Sequence, residues 1–167
     1  LNDAAMLAAA ETYFSEIPGV ERVRVSSIEP TTVGDELLYW MANSPKACRH
    51  LHLPLQSGDD TVLEQMKRVY TTSDYARFVE KALKMMPDIG LGTDVMVGFP
   101  GETDEQFENS RQFINGLPFS YLHVFAYSDR PKTAANSSGG KIDPTIMRER
   151  SSEMLRLAVD KRACYFN

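Results

Sequence analysis

Two periodicities alternate along this chain, and together they restrict it to few architectures. Apolar residues recur at every second position in RVRVSSIEP, RHLHLPLQS, IGLGTDVMVGF and SYLHVFAYS, as strands require. Between these stretches they recur every third or fourth position, as helices require. DAAMLAAAETYF is Ala-rich and reads as a helix ending before Pro18 and Gly19, and GDELLYWMANS reads as a short helix. DDTVLEQMK opens on acids suited to a helix N-terminus, and TSDYARFVEKALKMM sets Tyr75, Phe78, Val79, Ala82, Leu83 and Met86 on one face. Thr103 and Gln106 carry a capping-box signature, and Pro144 takes the first position of a long final helix. Strands joined through helices pair in parallel, which predicts an α/β fold and excludes an antiparallel meander.

The strand faces refine this. Leu51, Leu53 and Leu55 share one side of the second strand, opposite His50, His52, Pro54 and Gln56. In the fourth, Leu122, Val124 and Ala126 oppose Tyr121, His123, Phe125 and Tyr127. An open doubly wound sheet buries both faces and reads as continuous aliphatic runs. One aliphatic face and one polar, aromatic face fit instead a barrel or half-barrel whose interior holds a ligand. The inward residues are then Arg24, Ser26, His52, Gln56, Asp94, Met96, His123 and Tyr127.

Composition narrows the function classes. A net charge of -5 argues against a nucleic-acid binder acting by itself. No apolar run approaches the roughly eighteen residues of a membrane span, and the N-terminus lacks the regions of a secretory signal. Cys48 and Cys164 are far apart, match no zinc spacing and read as free thiols in a reducing cytoplasm.

Each local motif has a plain reading beside a chemical one. His50 and His52, two residues apart on one strand face, have the spacing of a zinc-ligand pair, but no neighbouring Cys or Asp supplies a third ligand. Hydrogen-bonded imidazoles lining a barrel, or plain core packing, are the other readings. In VGFPGET, Gly98 and Gly101 flank a strand end and Thr103 starts a helix, which suits an anion or an ordinary turn. Arg68 is a surface arginine or a bidentate clamp for a carboxylate. Arg130 and Lys132 stand just beyond the fourth strand, where KTAANSSGGKIDP, 132–144, reads as a loop. The knots SSIEP, PLQSG, VGFPGET and YSDRP all fall at the carboxyl ends of strands, where parallel α/β folds bind their ligands.

Taken in order, RVRVSSIEP, HLHLPLQSGDDTVLEQMKRVYT, TDVMVGFPGETDEQF and LHVFAYSDRPKTAA resemble the radical S-adenosylmethionine methylthiotransferases, from about Gly19 to the C-terminal helix. SSIEP with HLHLPLQSG most resembles the branch that thiomethylates N6-threonylcarbamoyladenosine beside the anticodon of tRNA. The isopentenyladenosine and ribosomal-protein S12 branches usually differ at those two places. A fragment of an S12 methylthiotransferase or of another radical SAM enzyme, and a non-catalytic α/β binding domain sharing the barrel, are the rival readings.

The resemblance implies a parallel-stranded partial (β/α) TIM-like barrel of about four β/α units. Residues 1–167 would then be the C-terminal portion of a radical SAM core domain. It implies S-adenosyl-L-methionine as cofactor, with [4Fe–4S] clusters held elsewhere in the full-length parent. The family's CxxxCxxC segment, its N-terminal cluster domain and its C-terminal RNA-binding domain have no counterpart here, so the chain alone is expected to be inactive. The implied partner is tRNA, with no membrane, in the cytoplasm. The edge at RVRVSS is expected to be unprotected and to favour self-association. In the complete enzyme a 5′-deoxyadenosyl radical takes hydrogen from C2 of the adenine, and sulfur comes from a second cluster.

By the same resemblance, Gln56 and Ser57 would contact the ribose or methionine part of the cofactor and Arg68 its carboxylate, while Met96 and Val97 would pack against adenine. With inward Ser26, Asp94 and Tyr127 they make up the expected cofactor wall, with no metal on His50 or His52 and no catalytic residue of its own. The family's GxIxGxxE pattern is imperfect, since Glu102 arrives one residue late, and Lys132 stands where glycine is common.

Overall fold

The computed structural model describes residues 3–129 and 140–166, with side chains from residue 9. Arg130, Lys132 and most of the loop expected over 132–144 lie outside the described residues. The elements run α1 (Asp3–Glu16), a 3-10 turn (Pro30–Thr32), α2 (Asp35–Asn43), β1 (His50–His52), α3 (Asp60–Gln65), α4 (Thr72–Met85), β2 (Gly90–Val97), α5 (Asp104–Gly116), β3 (Tyr121–Ala126) and α6 (Pro144–Phe166). Local chemistry sets the helix starts. The Asp59 carboxylate accepts the Thr61 and Val62 amides, and Thr71 with Asp74 and Thr103 with Gln106 close reciprocal capping boxes. Among the described residues no helix is long and apolar enough to cross a membrane.

The sheet has the order β1-β2-β3 and is parallel throughout, so sequence order is spatial order. It is an open arc, with its aliphatic face under the helices. Leu51, Leu53, Leu55, Leu91, Val95 and Val97 pack there against Tyr75, Val79, Ala82 and Met86, and α5 and α6 add Phe107, Ile114, Met154 and Leu157. Each fully buried aliphatic or aromatic side chain contributes about 1.5–3 kcal/mol.

Among the described residues, three strands form a ladder where four were expected. RVRVSS runs beside β1 as an extended arm. It makes one parallel bridge, Val23 to Ala47, in which the Val23 amide donates to Lys46 O at 2.8 Å and the Cys48 amide to Val23 O at 2.9 Å. Ser27, at φ +58°, turns the chain out of extended geometry. Only Val25 is buried, while Arg24, Ser26 and Ser27 face solvent, so little holds a longer ladder in place.

β1 also departs from simple alternation. Its register with β2 runs His50–Gly90, Leu51–Leu91 and His52–Gly92, but the next bridge joins Gln56 to Val95. One extra residue is accommodated between them, a bulge at Pro54, which has no amide to donate. Buried hydroxyls replace the lost ladder. Thr93 Oγ1 accepts the Leu55 amide at 3.1 Å and donates to Leu53 O at 2.7 Å, and Tyr75 Oη donates to the same carbonyl at 2.7 Å. Tyr70 Oη lies 3.0 Å from Pro54 O and 3.2 Å from Leu55 O. The loop beyond lies flush on α5. A Cβ on Gly58 would stand 2.9 Å from Ser110 backbone, and the Gly58 amide donates to Ser110 Oγ at 2.8 Å.

The two hydroxyls are not equivalent. Thr93→Val strands a buried amide, and its expected cost is about 1–3 kcal/mol. Tyr75→Phe leaves Leu53 O with its Thr93 partner and should cost only about 0.5–1.5 kcal/mol. Urea unfolding midpoints at constant slope measure both, and the reverse order would contradict the assignment of Thr93 as the bulge's main support.

Candidate functional site

The face of the sheet opposite the leucines carries a floor of polar side chains, bounded by Tyr165 at the end of α6, and the strand ends above it form a rim. The floor follows from register. Gly92 pairs with both His52 and Tyr121, and Asp94 pairs with His123. Paired residues of parallel neighbours share a face, so these side chains converge. Gly92 is the enabling residue, because a Cβ there would lie 2.0 Å from the Tyr121 ring. The ring instead reaches over β2 and stacks on His50 and His52, with centroids 5.7 Å and 5.6 Å away.

Its hydroxyl lies 3.0 Å from His50 Nε2 and 2.9 Å from His52 Nδ1, and Arg24 Nη2 lies 3.0 Å from His50 Nε2. His52 Nε2 is 2.9 Å and His123 Nδ1 is 3.1 Å from one oxygen, Asp94 Oδ1. Burial, the Arg24 guanidinium and then His52 push the His50 imidazole below its ordinary range, which favours the neutral ring facing Arg24. Burial raises the Tyr121 phenol, which stays protonated. The carboxylate missing from the histidine motif stands beside His52 alone of that pair, while His50 faces Arg24 and Tyr121. Asp94 supplies it from β2, and β3 adds His123. Alternation had placed both residues inward, but the register that sets them side by side is a long-range property.

At the rim, Gln56 holds φ +72°, unusual for a side-chain-bearing residue, while its backbone bridges β2 through Asp94 O and the Met96 amide. Met96 is half-buried and Phe125, its partner in register, is half-exposed. Ser26 is exposed beside Ser27, with their hydroxyls 3.5 Å apart. Tyr127 is half-buried and meets Phe99 edge-on at 5.7 Å. Arg68 Nη1 lies 2.6 Å from Glu29 Oε1 in SSIEP, so the expected carboxylate clamp already holds a carboxylate of the chain itself.

Two expected wall residues are turned away. Val97 is buried with the residues under the helices, because odd-numbered positions of β2 face that way. Ser57 is buried, and its hydroxyl accepts the Asp59 amide at 3.2 Å.

Glu102, left without a role by motif spacing, anchors the rim. Its carboxylate accepts the Gly98 amide at 3.0 Å and pairs with Arg150 of α6 at 2.8 Å, with side chains 2% and 7% exposed. Arg150 also reaches Asp104 at 2.6 Å. Burial raises the Glu102 carboxyl above its ordinary range, against the Gly98 amide and Arg150, which pull it down.

Residues 2–114 match the family model described as the Radical SAM superfamily. The chain is 40% identical to the tRNA-2-methylthio-N(6)-dimethylallyladenosine synthase of Caldicellulosiruptor saccharolyticus over 84% of its own length and 30% of that protein. It is also 40% identical to the threonylcarbamoyladenosine tRNA methylthiotransferase MtaB of Bacillus subtilis, over 94% of its length and 34% of that protein. It thus spans about a third of the curated relatives it matches. Among solved structures, the fold resembles coproporphyrinogen III oxidase (HemN) of Escherichia coli, with a TM-score of 0.72, 15% identity, and coverage of 96% of this chain and 38% of that one.

Arg150→Met should leave Glu102 a buried, unpaired carboxylate and cost about 3–5 kcal/mol near neutral pH. With Arg150 gone the native carboxyl rises further above its ordinary value of 4.5, so the native state binds its proton more tightly than the unfolded chain does. Part of the loss should return as pH falls from that raised value toward 4.5. Urea titrations of variant and parent across this range check both size and sign.

Proposed function

The chain belongs to the Radical SAM superfamily, and we propose that it forms the later part of the core domain of a tRNA methylthiotransferase acting on N6-threonylcarbamoyladenosine. Identity does not choose between substrates, since the dimethylallyladenosine and threonylcarbamoyladenosine relatives match equally well. The floor carries the choice. A dimethylallyl group laid on this floor would cut the water-facing edges of Asp94 and His123 off from solvent, at about 1–3 kcal/mol for each polar atom left unpaired. A threonylcarbamoyl group brings a hydroxyl that can donate to Asp94 and a carboxylate that can accept from the exposed Arg24 guanidinium.

The rim residues fit S-adenosylmethionine in kind. Met96 offers an apolar wall for adenine, Gln56 and Ser26 offer hydrogen bonds to a ribose, and Arg68 can exchange Glu29 for the methionine carboxylate. Asp94 and Tyr127 complete that wall, while Ser57 and Val97 act by holding loop and strand in place. When bound beside a reduced cluster, the cofactor supplies radical chemistry. A [4Fe–4S] cluster is held by thiolates, and half-buried Cys48 with exposed Cys164 are too few for one, so this chain's residues do not fit that group. Their part is to bind, orient and exclude water.

Deleting the gene and measuring tRNA nucleosides by mass spectrometry tests the reading. The 2-methylthio derivative of N6-threonylcarbamoyladenosine should disappear while its unmodified precursor accumulates. Loss of the dimethylallyl derivative instead, or of the methylthio group on ribosomal protein S12, would overturn the substrate.

A further inference from the structure

We propose that His52, Asp94 and His123 form a binding site for a divalent transition metal on the floor of the sheet. This does not depend on the reaction proposed above. One ligand atom from each of the three residues lies within 4.8 Å of the others, and the three come from adjacent strands of one rigid sheet. Two metal bonds of about 2.1 Å at right angles place their ligand atoms about 3.0 Å apart. The two nitrogens stand 2.9 Å and 3.1 Å from Asp94 Oδ1.

A hydrogen bond has the same length, so protons must decide. Tyr121 Oη carries one proton and stands within reach of both His50 Nε2 and His52 Nδ1. His50 Nε2 faces Arg24, which only donates, so this nitrogen is an acceptor. With that lone pair engaged by Arg24, the Tyr121 O–H can donate to His52 Nδ1 or its oxygen can accept from a protonated Nδ1. In the second of these arrangements the Nε2 lone pair faces the Asp94 carboxylate. Two lone pairs at 2.9 Å need a cation between them.

Two imidazoles and a carboxylate at this spacing suit six-coordinate Fe(II) or Co(II), with Tyr121 as the outer hydrogen-bond partner that orients a ligand histidine. The His52 side chain is 7% exposed and that of His123 is 56% exposed, so the site is closed below and open to further ligands above.

Co(II) is the probe, added to metal-stripped protein carrying Cys48→Ser and Cys164→Ser so that thiols do not compete. One equivalent should produce visible d–d bands that Zn(II) abolishes. Asp94→Asn and His123→Ala should remove them, and Tyr121→Phe should weaken affinity roughly 10–100-fold. Because His123 is largely exposed, His123→Ala should keep the parent's circular dichroism and urea midpoint, which separates loss of the site from loss of the fold. Absence of bands in the parent, or bands that persist in both ligand variants, would overturn the site. The first of these means that a proton alone joins His52 to Asp94.

Discussion

The Thr93 hydroxyl holds the backbone junction where β1 loses its ladder, and the site depends on it. Pro54 interrupts β1 inside the core, where water cannot repair a broken ladder. Thr93 Oγ1 serves Leu55 N–H and Leu53 O together, and Tyr75 reinforces the carbonyl. With that junction satisfied, β1 can deliver His52 to the floor in one register and Gln56 to the rim in another. Burial keeps the Tyr75 phenol protonated well beyond its ordinary range, so its donor role persists at any physiological pH.

From that junction upward, packing decides chemistry. The missing side chain at Gly92 admits the Tyr121 ring, and the ring links the histidines of β1 to β3 across the central strand. His50, His52, Asp94, Tyr121 and His123 sit on strands, where geometry is held tightly, while Ser26, Gln56, Arg68 and Tyr127 sit outside them. The loops are fastened individually. Arg68 pairs with Glu29 across two of them, Gly58 lies against α5, and Glu102 ties the turn after β2 to α6.

The legible part of this fold is its local part. Helix positions follow from the spacing of Tyr75, Val79 and Ala82, and from side chains such as Thr71 and Thr103 that cap their own helices. Parallel pairing follows from the long connections. The bulge was marked by Pro54, but a proline alone does not say that Thr93, thirty-nine residues later, would replace its ladder. RVRVSS has the alternation of a strand and makes one bridge, because period two reports side-chain facing while a ladder needs a partner along its length. The pairs Arg150–Glu102 and Asp94–His123 join residues far apart in sequence, and register between strands is set by tertiary packing.

The floor is poorly explained as a device for stability. Helices cover the opposite face, where the leucines, Val95 and Val97 gain from burial. Arg24, His50, Tyr121, His52, Asp94 and His123 form a connected polar network that must keep every member paired to avoid a desolvation penalty. Apolar side chains of similar size would often hold three strands together as well or better. His50 Nδ1 is buried without a hydrogen-bond partner, so even the present arrangement leaves one polar atom unmatched. A network that adds little to folding and opens toward the strand ends makes physical sense if it meets a polar ligand or cation, because that contact satisfies the groups that folding leaves exposed.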